Sequence, residues 1–172
     1  GWGEINGTHN RGDYDLSRHQ AFSGRSMEAR DEITGGKYIP RVVESTCGAD
    51  RIALALLCEG LIEEEERLVF KIAPRLAPVK VNVLPLVKKR HGEKARALYE
   101  EIRKKFPAGY DEAGNIGRRY RRGDAVGTPY TVTVDDDTLE KDTVTIRDRD
   151  TMAQETVQAD ALPDCLRLLV TP

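Results

Sequence analysis

The apolar positions of this chain change their spacing along its length, and the change divides it into two regions. In the first, Tyr38 to Val43 reads as strand, and Ile52-Ala53-Leu54-Ala55-Leu56-Leu57-Cys58 is a compact run of good helix formers with Asp50 suited to its cap or first turn. Glu59 to Arg67, with four consecutive glutamates, reads as a solvated helix or loop, and Leu68 to Ile72 as a short extended link. Prolines at 74 and 78 mark the junction. Beyond it strand and helix alternate. Val79 to Leu84 predicts a buried strand, Glu93 to Phe106 an amphipathic helix, the residues around Tyr110 a short extended piece, and Ile116 to Ala125 a second helix. Tyr130 to Val134 and Thr143 to Arg147 read as strands joined through Asp135-Asp136-Asp137 as a hairpin connection, and Asp160 to Leu169 as a closing helix with Pro163 in its first turn. Strands separated by helices predict an α/β region with a mixed sheet.

Composition removes several classes. No apolar run reaches the length of a membrane span and no charged-then-apolar leader is present, so the expectation is a cytoplasmic protein with no membrane partner. Cys47, Cys58 and Cys165 lie far apart without CxxC spacing, and His9, His19 and His91 form no ligand pattern; neither a disulfide framework nor a zinc site is expected.

The net charge of −2 hides an asymmetry. Between Lys88 and Arg122 twelve Lys and Arg face five Asp and Glu, leaving that segment at plus seven and the remainder at minus nine. A basic field of this size favours a polyanion. Arg118, Arg119, Arg121 and Arg122 around Tyr120, after the Gly-Asn-Ile-Gly turn, combine guanidinium groups with an aromatic ring as single-stranded RNA binding often requires. Two readings of them stand at this point: contact with RNA, or capping of the helix and pairing with Asp124.

The densest chemistry lies in Glu44-Ser45-Thr46-Cys47-Gly48-Ala49-Asp50-Arg51. Arg51 at a helix start is placed for bidentate contact with an anion, and Gly48 lets backbone come close to that anion. Glu44 is an acceptor for an ammonium group, and Thr46 offers a hydroxyl beside it. A plain strand-turn-helix junction with a surface arginine accounts for the same eight residues.

A second stretch discriminates. Gly1-Trp2-Gly3-Glu4-Ile5-Asn6-Gly7, followed by Arg11, Tyr14-Asp15-Leu16 and His19, resembles a pattern of the glycyl-tRNA synthetase family, and Glu44 to Arg51 resembles its third class II motif, usually E-P-S-x-G-x-D-R. Leu76 to Leu86, Gly114 to Arg122, Gly127-Thr128-Pro129-Tyr130 and Val144 to Met152 are similar to that family's anticodon-binding domain. The resemblance covers nearly the whole chain in order. It implies residues 1–75 as the end of an antiparallel-sheet class II catalytic domain and residues 76–172 as a mixed-sheet α/β anticodon-binding domain. No segment resembles the first or second class II motif, so the chain is expected to be a fragment unable to aminoacylate alone.

Carried over by position, the resemblance implies ATP contacts at Glu4, Ile5, Gly48, Ala49, Asp50 and Arg51, with Arg51 the catalytic arginine, and glycine contacts at Glu44 and Thr46. It implies tRNA contacts at Arg118, Arg119, Tyr120, Arg121 and Arg122, Mg²⁺ with the ATP, tRNA(Gly) as the nucleic-acid partner and a homodimeric parent. Four positions depart from the family: Ser45 replaces the usual Pro, Thr46 the usual Ser, Gly12 a common Thr, and Cys47 adds bulk near the amino-acid site. The anticodon-binding fold also occurs in a synthetase-like polymerase accessory subunit, so a non-catalytic nucleic-acid-binding module is the alternative; an ammonium site beside an arginine has no use in such a module.

Overall fold

A computed structural model describes residues 3–170. Gly1 and Trp2, which open the first motif, lie outside the described residues. The chain divides into two compact units, Gly1–Ala55 and Leu56–Pro172.

The first unit is built on a two-stranded antiparallel ribbon of β1 (Asn6–Gly12) and β4 (Val42–Cys47). Between them come α1 (Tyr14–Ser23) and a small pair formed by β2 (Ala29–Arg30) and β3 (Lys37–Tyr38). The strand expected from Tyr38 to Val43 is thus two strands. Pro40 lies between them and has no N–H for a ladder bond. Helix α2 (Ala49–Gly60) begins directly after β4. Among the described residues of this unit none is buried.

The second unit opens with β5 (Leu61–Glu63) and β6 (Leu68–Phe70), an antiparallel hairpin whose turn holds the remaining glutamates. Residues expected to form a loop and an extended link therefore pair with each other. Val69 and Phe70 are buried, and Phe70 sits between two glycines: a Cβ on Gly60 would lie 2.8 Å from its ring, and one on Gly127 also 2.8 Å. Gly127 has φ +82°, a conformation L side chains avoid, so both its backbone angle and its neighbour demand glycine. A boundary at 75/76 would leave this hairpin with the first part of the chain, whereas it packs within the second unit.

The remaining elements are β7 (Val81–Pro85), α3 (Lys88–Ile102), β8 (Ala108–Tyr110), α4 (Ile116–Ala125), β9 (Tyr130–Val134), α5 (Asp136–Lys141), β10 (Thr143–Asp148), β11 (Gln154–Gln158) and α6 (Leu162–Val170). The strands form one mixed sheet in the order β11-β10-β9-β7-β8, with β7 parallel to both neighbours and β9, β10 and β11 antiparallel in succession. Period-two alternation gives the sheet two chemically different faces. Val81, Val83, Tyr130, Val132, Val134, Val144 and Ile146 share the first, packed with Ala95, Leu98 and Ile102 of α3 and Leu162, Leu166 and Val170 of α6. At about 1.5–3 kcal/mol for each fully buried aliphatic side chain, this layer dominates the unit's stability. The second face is mostly polar, carrying Asn82, Thr131, Thr133, Thr145 and Arg147 together with the buried Leu84.

That polar face is closed by hydrogen bonds. Asp124 of α4, 2% exposed, accepts from Arg147 Nη1 at 2.9 Å and Nη2 at 3.1 Å, and from Arg67 Nη1 at 2.8 Å. Arg67, from the β5–β6 turn, also donates to the Arg149 carbonyl at 2.8 Å. Burial lowers the Arg67 pKa, but hydrogen bonds and charge from Asp124 and Glu64 outweigh it and hold the guanidinium above its ordinary value. Arg149 reaches the carbonyls of Gly127 and Ile72.

Two helix starts differ from expectation. Helix α3 begins a turn earlier than Glu93 because Val87 is its cap: the buried His91 accepts the Val87 N–H on Nδ1 at 3.0 Å and donates from Nε2 to Asp136 at 2.8 Å. Asp135-Asp136-Asp137 opens α5 rather than a simple turn, with Asp135 and Thr138 forming a reciprocal capping box. No helix among the described residues is long and apolar enough to cross a membrane.

Candidate functional site

The register of the ribbon decides which side chains share a face. Gly7 stands opposite Thr46, His9 opposite Glu44, Thr8 opposite Ser45 and Asn6 opposite Cys47. Gly7, His9, Glu44 and Thr46 therefore lie on one face, and Ser45 and Cys47 on the other. Ser45 is tied there, its hydroxyl 3.2 Å from that of Thr8. The bulk of Cys47, expected near the amino-acid site, faces away from Glu44 and Thr46.

Gly7 is where side chains converge. A Cβ at this position would fall 2.5 Å from His9 Nε2 and 3.0 Å from Glu4 Oε1, so imidazole and carboxylate both lean over bare backbone. Any larger residue at 7 would push both groups aside.

The ribbon's end joins the two stretches singled out from the sequence. Gly48 donates its N–H to the Ile5 carbonyl at 3.2 Å and accepts from Ile52 N–H at 3.0 Å, so one residue ends the ladder and starts α2. The Arg51 guanidinium donates to the Glu4 carbonyl. Glu4, Ile5, Gly48 and Arg51 are thereby neighbours, although more than forty positions separate the pairs in sequence. Ala49 begins α2, and Asp50 lies in its first turn, where a carboxylate complements the helix dipole.

Sequence reasoning left Arg11 and Asp15 out of the candidate set. Arg11 grips Asp15 with Nε at 2.8 Å and Nη2 at 2.9 Å, while Nε lies 3.9 Å from Glu44 Oε2. The Asp15 hydrogen bond, then the charges of Asp15 and Glu44, raise the Arg11 pKa; the same bond holds the Asp15 carboxyl below the usual range. The i, i+4 spacing of Arg11 and Asp15 was visible in the sequence, but the approach to Glu44 needed the strand register.

The basic helix α4 separates into two kinds of residue. Asn115 caps it, its side-chain oxygen accepting the Arg118 N–H at 2.9 Å. Arg119, expected at an RNA surface, is 4% exposed and donates to the carbonyls of Pro85 and Gly114, its Nε lacking a partner among the described residues. Tyr120 is also engaged inward, its hydroxyl 2.6 Å from that of Thr133 and its ring beneath the Arg147 guanidinium at 4.9 Å. Arg122 is exposed but pairs with Asp111 at 2.9 Å through Nε and reaches the Ala113 carbonyl. Arg118 and Arg121 are exposed and have no carboxylate partner among the described residues. Pairing of this run with Asp124 does not occur, because Arg67 and Arg147 occupy that carboxylate.

A family model described as "Anticodon binding domain" matches residues 80–168. The glycine–tRNA ligase of Clostridium beijerinckii is 48% identical over 172 aligned residues, which cover 97% of this chain and 37% of that protein. That of Chlorobaculum tepidum is 52% identical over 159, covering 90% of this chain and 34% of its own length. The chain thus spans little more than a third of these relatives. Among solved structures, the RNA binding domain of threonyl-tRNA synthetase from Cryptosporidium parvum superposes with a TM-score of 0.66 at 22% identity, over 85% of this chain and 36% of that one, a likeness of fold. With more than half of its residues matched by the family model, the chain belongs to the anticodon binding domain family.

Proposed function

We propose that the protein carrying this chain is a glycine–tRNA ligase. In this reading the chain before the β5–β6 hairpin contributes part of the catalytic domain, and the second unit, which includes that hairpin, binds the anticodon arm of tRNA(Gly). The observation that carries it is the hydrogen-bonded junction of Glu4 and Ile5 with Gly48 and Arg51, on the ribbon whose one face holds Glu44 and Thr46. An anion site and an ammonium site at one strand end match the two charged substrates of amino-acid activation. Glycine, lacking a side chain, is selected by holding its ammonium at Glu44 and Thr46 and leaving no room beyond its α-carbon.

In the activation step a glycine carboxylate oxygen bonds to the α-phosphorus of ATP and the bond to pyrophosphate breaks. In transfer, a ribose hydroxyl of the tRNA attacks the activated carbonyl and AMP leaves. Arg51 neutralises charge that grows on the phosphates, and Glu44 orients the nucleophile through its ammonium end. The exposed Glu4 carboxylate suits Mg²⁺, which binds through one or two carboxylates together with phosphate oxygens and would supply further charge neutralisation. No enzyme nucleophile is needed, so Cys47 has no chemical role. The chain alone is proposed to bind RNA without aminoacylating.

The test is Arg51→Ala in the full-length protein. ATP–pyrophosphate exchange should fall by about 10²–10³, with tRNA affinity retained; an unchanged exchange rate would overturn the assignment.

A further inference from the structure

We propose that Arg11, clamped by Asp15, is a positioning residue for Glu44 and thereby helps set the affinity of the amino-acid site. The inference rests on the reading that Glu44 holds the substrate ammonium. Arg11 has two short bonds, both to Asp15, at 2.8 and 2.9 Å; its approach to Glu44, at 3.9 Å, is long. A cation held in this way steers a carboxylate without saturating it. Glu44 keeps oxygen lone pairs for a second cation, while the nearby guanidinium narrows the rotamers it samples. Asp15 is the element that prevents capture: without it Arg11 is free to close on Glu44 and compete with the incoming ammonium.

The fold builds this arrangement from adjacent elements. Arg11 is near the end of β1, whose register slips between Asn10 and Gly12, and Gly12 has φ +61°. That turn brings α1 back so that Asp15, in its first helical turn, meets the strand residue four positions earlier. Glu44 lies across the ribbon with His9 opposite it. Restricting a flexible glutamate before substrate arrives removes part of the ordering cost of binding.

The experiment uses the full-length protein in ATP–pyrophosphate exchange with glycine and ATP varied separately. Arg11→Gln is expected to raise the glycine KM about tenfold, equivalent to about 1.4 kcal/mol, and to leave the ATP KM within twofold. Arg11→Lys, which keeps the charge but not the fork, should recover only part of the loss. Asp15→Asn should raise the glycine KM in the same direction and serves if Arg11→Gln does not fold. The decisive measurement is the cycle with Glu44→Gln, in which Arg11→Gln should add less than twofold. An unchanged glycine KM in Arg11→Gln, or an equal rise with and without Glu44, overturns the positioning role. Glu44→Gln with a normal glycine KM would instead overturn the amino-acid site on which the inference depends.

Discussion

Asp124 offers the sharpest test of how the second unit holds together. Its carboxylate is almost wholly buried and accepts three charge-assisted bonds, two from Arg147 and one from Arg67. Asp124→Ala removes the anion and leaves Arg147, its side chain about 7% exposed, with no carboxylate partner among the described residues, while Arg67 keeps Glu64 at 2.7 Å. Breaking a buried ion pair in this way costs about 3–5 kcal/mol, because the stranded charge keeps its desolvation penalty. At about 4 °C per kcal/mol for a unit of this size, the melting midpoint should fall by about 12–20 °C. A control separates stranded charge from lost packing: Asp124→Ala combined with Arg67→Met and Arg147→Met removes every charge of the triad and should regain most of the loss. Far-UV circular dichroism melts of the whole chain give the midpoints, and hydrogen exchange at Val69 and Phe70 reports whether the hairpin opens first. A fall of less than about 3 °C for the single variant, or a triple variant less stable than the single, would refute the account.

Gly127→Ala meets both a positive φ and the Phe70 ring, so urea unfolding should show a loss of about 2–4 kcal/mol. Arg118→Ala with Arg121→Ala should lower the slope of log K against log salt for RNA binding by about one to two, with a normal melt, whereas Arg119→Ala should act on stability through the orphaned Pro85 and Gly114 carbonyls; an unaltered salt slope in the double variant would remove the two exposed arginines from the interface. For Asp111, burial raises the pKa, but the Ala113 N–H and the Arg122 guanidinium outweigh it and hold the carboxyl below its ordinary value. A depressed folded-state pKa means this stabilisation is present at neutral pH and lost as pH falls below about 4. Carbon-13 NMR titration should show the Asp111 pKa rising in Arg122→Gln, and no change would contradict the pairing.

Much of the second unit was legible because its strands and helices carry unambiguous periods. Val81, Val83, Val132 and Val134 alternate, and α4 begins at the Gly-Asn-Ile-Gly turn where Asn115 caps it. Shorter pieces were not legible. Leu61–Glu63 and Leu68–Phe70 are three residues each, too brief to show alternation, and the intervening acidic run suggested solvent rather than a hairpin turn. The arginine run shows a different limit. Successive helical residues turn by about 100°, so four arginines within five positions cannot share one face. The wheel separates them, but which side meets the sheet depends on Thr133 and Arg147, from strands distant in sequence. In the candidate active site, the chemistry of the 44–51 stretch and the family resemblance pointed to Glu44, Thr46 and Arg51, while Arg11 joined them only through pairing between β1 and β4.

The seat of Phe70 between Gly60 and Gly127 carries a practical consequence for anyone excising the anticodon binding domain from such a protein. A cut at residue 76, where sequence patterning suggests a clean seam, would discard Phe70, the Arg67 donor to Asp124 and the Ile72 carbonyl that Arg149 engages. The piece would be left with an open trough beside Gly127 and with Asp124 short of one of its two cations. Starting the transplant before Gly60 keeps these partners in place, so the smallest transferable cassette is longer than its sheet and helices alone indicate.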